Sequence, residues 1–479
     1  MEKGKKLHIV MLPWLAYGHI TPFFELSKRL AQKGHRVSFI STPRNVDRLP
    51  KIPQPLTSLI NLVKLSFPQN SIVDGLPPGA ESMSDISSSE AAFLIKTYQG
   101  LEEPITKFLE ASSPDWIIYD SFAPFVPKML ANIASKHNIT IRQAWFVVTS
   151  ANGFCLMEPL KTTGDVAPRN LEDFLEPPSW IPFPNKLAYR LYEFLDIIDQ
   201  HTSNPNVGGN IMEDARTLLR ACDALLIHSC LELEDDYFKL LQELHGKHVL
   251  PTGFLTPSIQ EVVSRENHDE EGWQLIKKWI DKQRKGSVVY IAFGSEVSPT
   301  QQMLDELALG LELSNLPFLW ALRKPKAGEV ILKLPDGFED RTRNQGLIWR
   351  SWAPQLLILE HDSIGGFICH CGWNSTLEAL QFGKPLITLP FFGDQGITAR
   401  FYEDKQLGIG IPRDEQDGSI TRNAVAETLR LVIDEEAGKI YRGKAKEARE
   451  ILGDRNLHMQ YTDRLEEFLY SYESYKKTT

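Results

Sequence analysis

Positions 352–395 crowd an unusual set of side chains into 44 residues. Trp352 opens the run, with Ala353 and Gln355 close behind it. His370, Trp373, Asn374, Ser375 and Glu378 occupy the middle, and Asp394 and Gln395 close it. An apolar stretch ends at Cys369-His370, a Gly372 turn follows, and a helix is expected to start near Asn374-Ser375. Backbone N–H groups at a helix start, reinforced by the helix dipole, bind anions. His370, Asn374 and Ser375 can add side-chain donors, so a diphosphate fits there without a metal. Glu378 can accept from two neighbouring hydroxyls. Taken in order, these are the groups that hold a base, a ribose, a diphosphate and a sugar. Single features have plainer explanations. Ser375 and Glu378 have capping-box spacing, and Trp352 alone reads as core packing. Cys369-His370-Cys371 has no second ligating pair nearby, so no zinc site is expected.

The first half carries its own candidates. An apolar run over 7–13 leads into a helix, with His19 in the turn, and Asp120 ends another run over 116–119. In an open α/β sheet, ligands bind at the carboxyl ends of strands. A histidine backed by a carboxylate is a general base, because the carboxylate selects the tautomer and stabilises the imidazolium. Alone, His19 is a polar residue at a helix start and Asp120 an N-cap. No G-x-G-x-x-G follows the first apolar run, which disfavours a nicotinamide-binding enzyme.

The elements that must position these groups follow from the pattern. Strand-like runs at 7–13, 36–41, 116–119, 141–148 and 224–228 alternate with helical stretches. In the first helix Thr21 suits the N-cap, Pro22 the first position and Gly34 the end. Pro251, Gly253, Pro257 and the charged run 265–271 read as a linker. A second series follows at 287–293, 318–322, 347–349, 366–370 and 386–390, with helices from Asn423 onward, including 425–435. Such alternation predicts an α/β protein with parallel sheets covered on both faces. A chain of 479 residues predicts two domains, with a ligand cleft between them.

Composition narrows the classes. Hydrophobic residues at 42% and charged residues at 24% fit a soluble globular chain. A net charge of -10 argues against a general nucleic-acid binder. No apolar run approaches the ~18 residues of a membrane span. The run 7–13 is short and lacks a cleavage pattern, so it reads as a first strand rather than a signal peptide. Five cysteines in so long a chain do not suggest a disulfide framework, and a reducing, cytoplasmic location is expected.

By its length, its HCGWNS core and its closing Asp394-Gln395, the run 352–395 resembles the signature box of plant UDP-dependent glycosyltransferases. The similarity extends over essentially the whole chain. It implies a GT-B fold, with two Rossmann-like domains facing each other across a cleft. The implied layout is an acceptor-binding domain over 1–250, a linker over 251–272 and a UDP-sugar-binding domain over 273–455. A last helix over 456–479 would pack back on the first domain. Trp352 would stack on uracil and the Ala353 backbone would bond its edge. Gln355 and Glu378 would hold the ribose. His370, Asn374 and Ser375, helped by Ser295, would contact the diphosphate. Trp373, Asp394 and Gln395 would hold the sugar, and Thr149 would touch its outer hydroxyl. Gln395 and the intact HCGWNS favour glucose. His19 would be the catalytic base and Asp120 its support, giving a β-glucoside by inversion with no metal or cofactor. Phe122, Phe125, Phe154, Met157 and residues 74–85 are expected to line the acceptor pocket.

The runs 12–19, 41–45 and 177–180 resemble the branch that adds a sugar to terpenoid, steroidal or flavonoid glycosides. The expected function is therefore glucosylation of a small-molecule glycoside by a monomer with no nucleic-acid partner. The alternatives are glucosylation of an aglycone and a catalytically silent nucleotide-sugar-binding protein.

Overall fold

The computed structural model describes residues 6–157, 172–202, 211–263, 270–294, 297, 299–323 and 331–475. Two compact units make up the chain. The first comprises Met1–Val166, His201–Thr256 and Arg455–Thr479; the second comprises Ala167–Gln200 and Pro257–Asp454.

The described strands of the first unit are β1 (His8–Leu12), β2 (Arg36–Ser41), β3 (Ile60–Lys64), β4 (Trp116–Tyr119), β5 (Arg142–Val147), β6 (Ala224–Ile227) and β7 (His248–Pro251). They form one sheet in the order β3-β2-β1-β4-β5-β6-β7, parallel at every pairing. β1, β4 and β6 are buried along their whole length, as a parallel sheet covered on both faces requires. The strand order reverses between β1 and β4, so the loops leaving them diverge and open a crevice at the carboxyl edge.

The helix Tyr17–Gln32 buries Phe23, Phe24, Leu26 and Leu30 in the core of this sheet. It starts before the expected Thr21 cap, and Pro22 lies inside it. The cause is Asp120, whose Oδ2 accepts from both Trp14 N (3.0 Å) and His19 Nδ1 (2.8 Å). That turns the chain into the helix a residue after Ala16, and Pro22 gives up one backbone bond. The last helix, Arg455–Tyr475, belongs to this unit. Its Leu465, Phe468, Leu469 and Tyr472 join the same core, and Trp116 Nε1 donates to Leu469 O at 3.2 Å.

The second unit holds β8 (Val288–Ala292), β9 (Phe318–Ala321), β10 (Gly346–Trp349), β11 (Ile364–Cys369), β12 (Leu386–Thr388) and β13 (Gly408–Gly410). Among the described residues they form a parallel sheet ordered β10-β9-β8-β11-β12-β13. The reversal falls between β8 and β11, the counterpart of β1 and β4. Each unit is thus a Rossmann-like doubly wound sheet.

Much of the stretch expected as a linker is built into the units. Pro251 ends β7, Phe254 and Leu255 are buried in the first unit, and Val262 packs with Leu356 and Leu357 of the second. Glu270–Ile280 is a helix whose Ile276 and Ile280 are buried. Apolar side chains among the prolines and charges are what draw this segment in. The span Ala167–Gln200, expected in the first domain, groups with the second unit. Glu193 pairs with Arg400 there, and Arg413 lies over the Tyr192 ring. No helix among the described residues is long and apolar enough to cross a membrane.

Candidate active site

In the first unit, Leu12 of β1 lies beside Tyr119 of β4, so the residues following both strands emerge together at the switch point. This register brings together two side chains that are 101 positions apart in sequence: His19 Nδ1 and Asp120 Oδ2 lie 2.8 Å apart. Asp120 is almost wholly buried, whereas a quarter of the His19 side chain is exposed. The carboxylate is fully engaged, because Oδ1 also accepts from Ser121 N at 2.6 Å. An ionised Asp120 can only accept, so the shared proton sits on Nδ1 and Nε2 is the basic nitrogen of the neutral ring.

Aromatic rings frame this pair. Phe122 lies edge-on to His19 at 6.1 Å and against Trp14 at 4.5 Å, and Trp14 meets Tyr98 at 5.1 Å. Burial and then the charge of Asp120 push the Tyr98 phenol up, and its hydroxyl bonds Pro13 O at 3.2 Å. Phe125 packs on Tyr98. Ser82 Oγ and Met83 N both donate to Leu15 O, which ties part of 74–85 to the His19 loop. Phe154 differs from expectation: its ring contacts are Trp145 and His245, which makes it core. Met157 is also buried.

Thr149 is half-buried just beyond β5, the neighbour of β4. The helix turn behind it is anchored by Glu234, whose buried carboxylate accepts from Ala151 N, Asn152 N and Asn152 Nδ2 at 2.7–3.1 Å. Burial raises the Glu234 carboxyl. Neither spacing nor motif marks Glu234 in the sequence.

In the second unit, β11 runs into His370 and then into the helix Trp373–Leu380. Gly372 is the N-cap and no side chain caps this helix. Ser375 is therefore its third residue, and the capping-box alternative is not realised. Glu378 instead accepts from Gln355 Nε2 at 2.7 Å, and the same Nε2 lies 3.3 Å from Ser375 Oγ. Three residues expected around a ribose and a phosphate thus form one cluster.

His370 lies between two glycines. Gly294, with φ +70° just after β8, would place a Cβ 3.1 Å from His370 Cε1, and a Cβ on Gly372 would collide with His370 Nε2. Burial pushes the His370 pKa down to about 4, although one edge of the residue stays open to solvent. Its Nδ1 is buried without a partner. A neutral ring beside a helix N-terminus, in a residue that is only half-buried, suits a polar ligand.

Trp352 is 50% exposed, which excludes plain core packing, and its carbonyl accepts from Trp349 Nε1. Ala353 is half-buried next to it. The side chain of Trp373 is buried. Its indole is 5% exposed and stacks on Tyr402 at 5.8 Å, so packing occupies the side chain and only its main chain can face a ligand. Asn374 is half-buried at the helix start and Asp394 is exposed. Gln395 is buried, and its Oε1 accepts from Phe391 N (2.9 Å) and Phe392 N (3.2 Å). Ser295 lies outside the described residues. The described residues contain no group of three or more His, Cys, Asp or Glu that could hold a metal. A separate cavity of about 560 Å³ is lined by Gly294, Trp320, Arg323 and Phe338, but none of Trp352, Gln355, Glu378, Asp394 and Gln395 borders it.

Comparison with known proteins gives a consistent picture. The model of the UDP-glucoronosyl and UDP-glucosyl transferase family matches residues 256–455. The chain is 42% identical to UDP-glycosyltransferase 91A1 of Arabidopsis thaliana, over 97% of both chains. It is also 42% identical to the soyasaponin III rhamnosyltransferase of Glycine max, over 99% of this chain and 97% of that one. Among solved structures, Phytolacca americana UGT2 complexed with UDP-2fluoro-glucose and pterostilbene superposes with a TM-score of 0.71. That match has 22% identity and covers 97% of this chain and 100% of that one. The fold is therefore GT-B, and this chain is an enzyme of the plant UDP-glycosyltransferase family.

Proposed function

We propose that the protein transfers glucose from UDP-glucose, with inversion, to a sugar hydroxyl of a small-molecule glycoside. The observation that carries the chemistry is the His19–Asp120 pair at the switch point of the first sheet. His19 Nε2 takes the proton of the acceptor hydroxyl as its oxygen attacks the anomeric carbon. The bond from that carbon to the diphosphate oxygen breaks, and UDP leaves with the electron pair. Attack from the face opposite UDP turns the α-linked donor into a β-glucoside. Asp120 holds the Nδ1 proton and stabilises the imidazolium.

Trp352 stacks on the uracil and the Ala353 backbone bonds its edge, while Gln355 and Glu378 take the ribose hydroxyls. The N–H groups starting the helix Trp373–Leu380, with His370, Asn374, Ser375 and Ser295, stabilise the leaving diphosphate in place of a metal or cofactor. Asp394, Gln395 and the Trp373 main chain hold the sugar, and Thr149 reaches its outer hydroxyl. With Gln395 Oε1 engaged by its own loop, its NH2 is the end offered to a sugar hydroxyl.

A second donor, UDP-rhamnose, is favoured by the likeness to the soyasaponin III rhamnosyltransferase. That name also supports a glycoside acceptor. The test is incubation with UDP-glucose or UDP-rhamnose and matched panels of aglycones and monoglycosides, with product mass and linkage determined. β-Glucosides formed on monoglycosides are expected. Products on aglycones alone, or with rhamnose alone, would overturn the reading.

A further inference from the structure

The span Ala167–Gln200 belongs to the second unit although the chain on both sides of it belongs to the first. Two consecutive residues at the start of its helix Leu191–Thr202 make the attachment. Glu193 forms a fork with Arg400, at 3.1 Å to Nη1 and 2.7 Å to Nη2, and both side chains are only 11–12% exposed. Arg400 lies in the helix Gln395–Asp404. The same carboxylate packs against Gly396, where any Cβ would collide with its oxygens. It therefore presses on the backbone of the residue after Gln395.

Tyr192 acts at the opposite end of the same loop. The Arg413 guanidinium lies over its ring at 4.6 Å. Arg413 donates to Pro390 O, and to Gly418 O at 2.6 Å. Pro390 is where the chain leaves β12 for the loop that carries Asp394 and Gln395. Arg190, paired with Glu415 at 2.6 Å, adds an exposed tie.

The loop 390–395 is thus held at both roots by one dipeptide from a distant part of the chain. A fork between a carboxylate and a guanidinium is directional, so it resists rotation of the helix that begins at Gln395. Inside the loop, Gln395 Oε1 is already bonded to two backbone N–H groups. The sugar-facing atoms therefore inherit their position from the two roots.

We propose that Tyr192 and Glu193 are positioning residues for the donor sugar, setting which hexose the loop accepts without touching it. This rests on the reading of Asp394 and Gln395 as the sugar contacts. The full-length protein is tested as Glu193→Gln, which removes the charge and keeps the shape, with Gln395→Ala in parallel. UDP binding is measured by calorimetry, and kcat and KM with UDP-glucose and with its C4 epimer UDP-galactose. For Glu193→Gln, kcat/KM with UDP-glucose is expected to fall about tenfold, and the preference for it over UDP-galactose by a similar factor, while the Kd of UDP moves less than about twofold.

Equal weakening of UDP and UDP-glucose binding, or no change in either, would overturn the proposal. If Gln395→Ala loses the preference and Glu193→Gln keeps it, the positioning role alone fails. Should Gln395→Ala leave the preference intact, the sugar-contact reading fails and the proposal falls with it. Tyr192→Leu carries the same comparison if Glu193→Gln does not fold.

Discussion

Replacing Asp120 by Asn is the sharpest test of the catalytic reading, because it changes one charge and almost no volume. The wild-type carboxylate accepts three hydrogen bonds: His19 Nδ1 at 2.8 Å, Trp14 N at 3.0 Å and Ser121 N at 2.6 Å. An amide cannot replace it. If its oxygen faces His19 and Trp14, its NH2 meets the Ser121 N–H. In the other orientation the NH2 meets Trp14 N–H and selects the wrong histidine tautomer. The imidazolium formed as the acceptor proton is removed also loses its counter-charge. Two unit charges about 4 Å apart attract by about 4 kcal/mol at an effective dielectric near 20. That corresponds to a fall in kcat of roughly a thousandfold, within the range of about 10² to 10⁴ for general-base catalysis. The assay is steady-state transfer from UDP-glucose, with UDP affinity by calorimetry and a melting curve to confirm folding. UDP affinity should be unchanged, since the contacts proposed for it belong to the second unit. A folded variant with normal UDP binding and less than about a tenfold loss in kcat would refute the assignment of His19 as a carboxylate-supported base.

Glu378→Ala removes the acceptor at the centre of the Gln355–Ser375 cluster. UDP affinity should weaken by about 10- to 100-fold, the worth of one or two charge-assisted bonds, as read by calorimetry. Gly372→Ala puts a methyl group into His370. It should cost about 1–3 kcal/mol of stability and weaken UDP binding, measured by urea unfolding and calorimetry; an unchanged variant would mean that the ring has room to move. Burial pushes the pKa of His245 from 6.5 down to about 4, and neither of its ring nitrogens has a partner. The unfolded chain therefore takes up a proton that the native ring refuses. The His245 contribution is complete above about pH 6.5 and is lost as the pH falls towards 4. Between pH 7 and pH 5 the loss amounts to roughly 2 kcal/mol, and urea titrations at both pH values should show a fall in stability smaller by that amount in His245→Leu than in wild type.

The central strands were legible because each carries apolar residues in a strand pattern, continuous in β4 and β6 and alternating with polar residues in β2. β2 and β4 match the expected runs residue for residue, and β1, β5, β6, β8, β9, β11 and β12 differ only at their ends. β3, β7 and β13 were not legible. All three are sheet edges, half-exposed or short, and β7 ends in Pro251, which an edge tolerates. The edge strand β10 was legible to within one residue because Leu347–Trp349 is an apolar run; the other three edges are specified by their neighbour's open hydrogen bonds rather than by their own pattern. The helix start at Tyr17 is not legible in the local sequence for a related reason. Local signals favoured Thr21 and Pro22, but a carboxylate about a hundred residues away determines the turn.

The sequence alone determined the parallel α/β architecture, and it marked the segment 352–395 as a candidate donor site and His19 and Asp120 as candidates at strand ends. Each depends on residues close together along the chain, where periodicity and spacing carry the information. Tertiary structure alone decided the rest. It made one oxygen of Asp120 hold both His19 and the Trp14 backbone. It exposed Trp352 while burying Trp373 against Tyr402. It set Gly294 and Gly372 against His370 and attached Tyr192 and Glu193 to the roots of the 390–395 loop. Apart from Gly372 against His370, these contacts join residues far apart along the chain, 207 positions in the case of Glu193 and Arg400. No local pattern encodes them, because they arise only when the two sheets have set the register of the loops at their carboxyl edges.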